Sequence, residues 1–304
     1  MKYCSIIISS LLLTVLSCTQ AQEISDLPED INKPQDSPAG RSAEKRGVCF
    51  STSALDWANR IVSLKANWYY NWGNDDVTAG VKGVEYVPMI WGHTMVNKGV
   101  CDRINQMYSE GKIFYVLGFN EPDLKEESNM SVAQALDDWE FLCNNLDKRI
   151  KLVSPAPSYP SRQWLVDFMN GAAARNLRVD YVAVHIYAGI GTSIYESAIR
   201  DVYNKFGKQV WITEFAPRDD NASSNGYNSY TMEPQVLNFM KTVAPKYEEM
   251  SEVFRYSWFS PGSETGMIGL QTSRLTSGDG LTLTVLGDYY STIQPNDNAA
   301  LPTP

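Results

Sequence analysis

Residues 113–119 read IFYVLGF and residues 209–215 read QVWITEF. Neither run shows the polar alternation of a strand with one wet face. Each is nearly continuous in apolar side chains, as a parallel strand covered on both faces should be. Similar runs recur at 47–51 (GVCFS), 65–70 (KANWYY), 85–91 (EYVPMIW), 151–155 (KLVSP), 180–187 (DYVAVHIY) and 253–259 (VFRYSWF). Between them lie segments with helical spacing. Residues 131–147 open on Ser131, a good N-cap, and place Val132, Ala135, Leu136, Trp139 and Leu142 on one face. Residues 161–176, 193–206 and 232–248 read likewise, with Pro234 where a first helical turn tolerates proline. Residues 285–293 supply a last helix, and the Gly/Ser/Thr-rich residues 262–284 a long loop before it. Eight strands separated by helices predict an α/β fold, a single (β/α)8 TIM barrel over residues 46–293. A doubly wound open sheet is the rival count. Against it, no Gly-rich phosphate loop follows any strand, and eight is the number that closes.

The flanks differ in character. Lys2 precedes an apolar stretch, Ile6 to Leu16, which is too short for a convincing transmembrane helix. It ends in Val15-Leu16-Ser17-Cys18, which resembles the lipobox of bacterial lipoproteins. That resemblance implies a signal peptide over 1–17, cleavage before Cys18 and lipidation of its thiol. The protein would then sit in the bacterial cell envelope, held to the membrane through Cys18. An ordinary signal peptide that happens to contain a cysteine is the alternative. Residues 18–45, with Pro28, Pro34, Pro38 and Gly40 among polar neighbours, suit a flexible tether. Residues 294–304 are a C-terminal tail.

Net charge is −9, and no basic run offsets it, so a nucleic-acid partner is excluded. Beyond Cys4 and Cys18, the cysteines are Cys49, Cys101 and Cys143. No CxxC or other metal spacing occurs, and neither a metal nor a cofactor is expected. In a barrel, Cys101 near the start of one helix and Cys143 near the end of the next lie far apart. Buried free thiols are the favoured reading, with a disulfide among the three left open. A monomer is expected.

Barrel chemistry sits at the C-terminal ends of the strands. The fourth strand ends Gly118-Phe119-Asn120-Glu121-Pro122-Asp123, and the seventh ends Trp211-Ile212-Thr213-Glu214-Phe215. Each places a glutamate where an apolar strand runs out. Two carboxylates meeting at one barrel mouth can cleave a glycosidic bond: one protonates the leaving oxygen, and the other attacks the anomeric carbon or activates water. Asn120-Glu121 after strand four and Glu214 after strand seven resemble the clan of retaining glycoside hydrolases with barrel folds. That resemblance implies Glu121 as acid/base, Glu214 as nucleophile, and Asn120 as a ligand of the substrate 2-hydroxyl.

A narrower resemblance rests on residues 68–73 (WYYNWG), 88–92 (PMIWG), 117–123 (LGFNEPD), 184–187 (VHIY), 211–215 (WITEF) and 256–259 (YSWF). Together these are similar to glycoside hydrolase family 128, and they imply an endo-acting β-1,3-glucanase with a β-glucan polysaccharide or oligosaccharide as substrate. Sugar sites use aromatic faces and fixed polar groups. Trp68, Tyr69, Tyr70, Asn71 and Trp72 cluster at the end of strand two; the candidates taken from the strand ends are Tyr69, Asn71, Trp91, His185, Tyr187 and Trp258, with Trp258 expected as a sugar platform. His185 and Tyr187 share a strand face; whether His185 is structural or positions a carboxylate stays open at this point. Trp57, Trp139 and Trp164 fall on helices and read as core, and His93 as a loop surface residue. Two alternatives remain: another β-glucan linkage on the same fold, or a non-catalytic glycan-binding lipoprotein.

Overall fold

The structure, a computed structural model, describes residues 45–218, 233–259, 269–278 and 282–295. The signal segment, Cys18, the tether to residue 44, parts of the loop before the last helix and the tail beyond residue 295 lie outside the described residues. Eight strands alternate with helices, except that a short 3-10 turn (Thr78–Gly80) stands between the second and third: β1 (Arg46–Cys49), α1 (Trp57–Ser63), β2 (Trp68–Tyr70), β3 (Glu85–Tyr86), α2 (Lys98–Ser109), β4 (Tyr115–Leu117), α3 (Val132–Asn145), β5 (Lys151–Val153), α4 (Gln163–Ala174), β6 (Val182–Ala188), α5 (Thr192–Phe206), β7 (Val210–Pro217), α6 (Glu233–Glu249), β8 (Val253–Trp258) and α7 (Val285–Thr292). The expected α/β order is therefore present.

All strand pairs are parallel. One ladder runs β3-β2-β1-β8-β7-β6, and β4 pairs with β5. Two single parallel bridges, Met89 to Leu117 and Val153 to Tyr181, join these pieces between β3 and β4 and between β5 and β6. The eight strands thus follow one another around a ring, as a (β/α)8 barrel requires. Local chemistry sets the helix limits. Ser131 accepts a hydrogen bond from the Gln134 backbone N–H at the start of α3, as its sequence position predicts. Gly207 ends α5 at φ 64°, a left-handed conformation that glycine adopts without a Cβ penalty.

Two cores result. The outward strand faces and the inner helix faces share the larger one, which includes Val48, Tyr69, Trp139, Phe215, Tyr256 and Trp258. The barrel interior is the smaller, with Cys49, Trp68, Tyr70, Tyr115, Leu117, Ala183 and Trp211. Its N-terminal end is plugged by Arg255, which donates to Glu85 at 2.6 Å and lies 4.8 Å and 4.9 Å from the ring centroids of Tyr115 and Trp211. A Cβ on Gly47 would meet the Trp68 indole at 2.2 Å, so only glycine fits beside that plug. Cys49, Cys101 and Cys143 are buried free thiols. Among the described residues, no helix is long and apolar enough to cross a membrane.

Candidate active site

The open end of the barrel gathers Glu121, His185, Glu214, Tyr70, Trp72, Tyr187 and Asn120. Glu121 follows β4 in a left-handed conformation, φ 40°, which is costly for a residue with a side chain and is common at functional sites. Its backbone N–H is fixed on the Ala156 carbonyl at 2.8 Å. Glu214 reaches the same mouth by a different device. On β7, Val184 of β6 pairs with Ile212, but the next residue, His185, pairs with Glu214. The ladder skips Thr213. This bulge re-aims the chain, so that Glu214 turns inward while Ile212 and Phe215 both face the outer core.

The two carboxylates meet across His185. The His185 Nδ1 lies 2.8 Å from Glu121 Oε1 and 3.6 Å from Glu214 Oε2. One ligand atom from each of the three residues falls within 4.8 Å of the others. Among the described residues, this trio is also the group close enough to hold a metal ion. Its ordinary partners already account for the geometry, because Glu214 is saturated with donors. Tyr187 donates to Oε2 at 2.5 Å, and the Trp72 indole donates to Oε1 at 2.9 Å. The Tyr70 hydroxyl lies 3.0 Å from the Thr213 carbonyl and 3.2 Å from Glu214 Oε1.

These contacts fix protonation states. Burial, and then the Glu214 charge, push the Tyr187 and Tyr70 phenols well above their ordinary range, so both act as donors near neutral pH. Burial opposes the charged form of His185, but the negative charge of Glu214 and the hydrogen bond to Glu121 outweigh it and raise the imidazole above its usual value. In its charged form, His185 donates through Nδ1 to Glu121 Oε1 and stands between the two acids.

The structure brings together Glu121, Glu214, Asn120, His185 and Tyr187 as the sequence suggests. Trp91 is half-buried at the same end, and its carbonyl accepts from the Asn120 N–H at 2.9 Å. Three expected sugar contacts are placed elsewhere. Trp258 is fully buried in the outer core, with its indole donating to the Ser273 carbonyl at 2.6 Å. Tyr69 is also fully buried there, against Trp57 and Tyr86. Neither offers a face to a sugar. The Asn71 carbonyl oxygen braces its own loop, accepting from the Tyr86 hydroxyl and the Gly73 N–H, both at 3.0 Å. The cause is strand parity: Trp68, Tyr70 and Trp72 face inward, so Tyr69 must face out. A strand buried on both faces hides that parity, because its two sides are equally apolar. Tyr70 and Trp72 stand in the sequence among the aromatics at the end of strand two, but as sugar contacts and not as donors to Glu214; Glu127, which contacts Asn120, was not singled out from sequence. The signal for the first two was their two-residue spacing from Trp68; Glu127 had none. His93 is exposed as expected and bonds Asp138 at 2.8 Å.

Comparison with known proteins agrees with this geometry. The family model described as "Glycosyl hydrolase catalytic core" matches residues 47–290. The chain is 30% identical over 259 residues to alkali-sensitive linkage protein 1 of Schizosaccharomyces pombe, covering 81% of this chain and 44% of that protein. It thus spans less than half the length of that relative. Among crystal structures, it resembles a family 128, subgroup I endo-β-1,3-glucanase from Amycolatopsis mediterranei solved with laminaritriose and laminaribiose. That likeness has 31% identity, 82% and 99% coverage of the two chains, and a TM-score of 0.69. A subgroup III curdlan-specific exo-β-1,3-glucanase from Blastomyces gilchristii matches at 26% identity, with 83% and 99% coverage and a TM-score of 0.65. A closed ring of eight parallel strands, two glutamates at one mouth and these matches place the chain in the glycosyl hydrolase catalytic-core family, as a glycoside hydrolase of family 128.

Proposed function

We propose that this chain hydrolyses β-1,3-glucan, acting within the polymer and retaining anomeric configuration, with Glu214 as nucleophile and Glu121 as acid/base. The observation that carries the assignment of roles is the donor set on Glu214. Three side chains, from Tyr70, Trp72 and Tyr187, hold and aim its carboxylate, whereas among the described residues the side-chain partner of Glu121 is His185. Their approach within 4.8 Å suits double displacement, for which the two carboxyl groups stand about 5–5.5 Å apart.

In the first step, Glu214 attacks the anomeric carbon. The glycosidic C–O bond breaks, and the Glu121 proton passes to the departing oxygen. In the second step, Glu121 takes a proton from water, and the resulting hydroxide oxygen displaces Glu214 from the same carbon. His185, hydrogen-bonded to Glu121, steadies that carboxyl through both protonation states. The linkage is supported by the likeness to family 128 enzymes of subgroups I and III, both described as β-1,3-glucanases, and the endo action by the likeness to the subgroup I enzyme, the subgroup III one being exo-acting. Replacing Glu121→Gln and Glu214→Gln separately, with reducing sugar from curdlan and soluble laminarin as the readout, tests the roles. Loss of hydrolysis in both is expected; near-wild-type release by either removes it from the pair.

We also propose that the enzyme is tethered to the cell envelope by lipid on Cys18, on the strength of the Val15-Leu16-Ser17-Cys18 motif and the polar stretch after it. The wild-type protein is expected in the detergent phase of a Triton X-114 partition and Cys18→Ala in the aqueous phase. Equal partition of the two would remove the anchor.

A further inference from the structure

We propose that Glu127 is a positioning residue, whose carboxylate sets the orientation of the Asn120 side-chain amide beside the acid/base. The inference rests on the hydrolase reading above. Asn120 is nearly buried, and its Nδ2 donates to Glu127 Oε2 at 3.1 Å. Its other polar atom, Oδ1, is buried and has no hydrogen-bond partner in the protein. An amide in that position has two orientations, differing by a half-turn, that exchange donor and acceptor. A carboxylate can only accept, so Glu127 selects the orientation with the NH2 group toward itself. The second amide hydrogen and the carbonyl oxygen are then presented in one fixed sense.

The loop after β4 is built to deliver this contact. The Asn120 N–H is held by the Trp91 carbonyl at 2.9 Å, and the Asn120 carbonyl accepts from Ser128 at 3.3 Å. The Met130 N–H closes the loop on the Pro122 carbonyl at 3.0 Å. Asn129, at φ 46°, makes the turn that follows Glu127 and Ser128. Glu127 therefore returns to the residue next to Glu121, although seven positions separate it from Asn120.

The charged groups that act on Glu127 are Glu121 from its own loop, Glu214 from β7 and His185 from β6. Burial, and then the Glu121 charge, raise the Glu127 carboxyl above its usual range, while Asn120 and His185 oppose that shift. Protonation of Glu127 on acidification adds a hydroxyl donor and removes its preference for the NH2 side, which frees the amide to turn.

The test combines two readouts on the whole protein. In the first, side-chain NH2 signals are recorded across pH with selective asparagine 15N labelling and assigned by their loss in Asn120→Ala. The Asn120 pair is expected to shift with a titration that Glu127→Gln abolishes; identical profiles in the two proteins would overturn the proposal. In the second, Glu127→Ala is expected to lower kcat about tenfold, the scale of one hydrogen bond to a charged group, with KM within about twofold. The double variant Asn120→Ala/Glu127→Ala is expected to be no slower than Asn120→Ala alone. Multiplicative losses would show that Glu127 acts apart from Asn120 and would overturn the proposal. Thermal melts of each variant separate unfolding from misplacement. Should wild-type protein release no sugar from any β-glucan while the Asn120 signals still follow Glu127, the hydrolase reading fails and the coupling stands.

Discussion

The Tyr187 hydroxyl and Glu214 Oε2 lie 2.5 Å apart, the shortest of the contacts that hold this carboxylate. The phenol cannot ionise near neutral pH, so its proton always faces the carboxylate. In the proposed mechanism it fixes the attacking oxygen. A hydrogen bond to a charged group contributes about 1.5–3 kcal/mol. Tyr187→Phe is expected to cut kcat by about 10- to 100-fold, with a smaller change in KM, in steady-state assays on laminari-oligosaccharides. A kcat within twofold of wild type would contradict this role.

The His185 bridge predicts a pH dependence of stability. The folded-state value is raised above the ordinary 6.5 because the charges of Glu214 and Glu121 outweigh burial. A group raised on folding stabilises fully below its unfolded value and loses that stabilisation as pH climbs through the folded one. The Tm of wild type should therefore exceed that of His185→Gln most just below pH 6.5, and the gap should narrow as pH rises beyond it. A gap that is flat or widens over that rise would show that the bridge carries no net proton affinity.

Trp258 separates packing from sugar binding. Its indole is fully buried among Phe215, Phe239 and Tyr290. Trp258→Ala is expected to cost about 3–5 kcal/mol of stability, as removal of a large core aromatic does. KM for the protein that remains folded should be unchanged. A raised KM with unchanged denaturant midpoint would restore Trp258 as a sugar platform.

The architecture and the meeting of Glu121 and Glu214 at one mouth were legible in the sequence because both depend on long, repeated signals. Runs such as IFYVLGF and QVWITEF mark buried parallel strands, and a glutamate at the end of each marks the mouth. Facing was not legible. Tyr69 and Trp258 look like mouth aromatics, yet each lies on the outward side of its strand, and apolar residues on both sides leave no alternation to read. Glu214 shows the same limit in reverse. Simple alternation from the inward Trp211 would turn Glu214 outward, and the bulge at Thr213 reverses it. Glu127 depends on the path of one loop back to Asn120, which no local pattern announces.

The central claim is that Glu214 attacks the sugar directly, with Glu121 serving first as acid and then as base. The most direct measurement is proton NMR of the first product released from a laminari-oligosaccharide, recorded before mutarotation. The β-anomer at the new reducing end is the predicted result, because two displacements at one carbon restore its configuration. The α-anomer would contradict the account: Glu214 would then activate water instead of attacking, and its donor set would need another explanation.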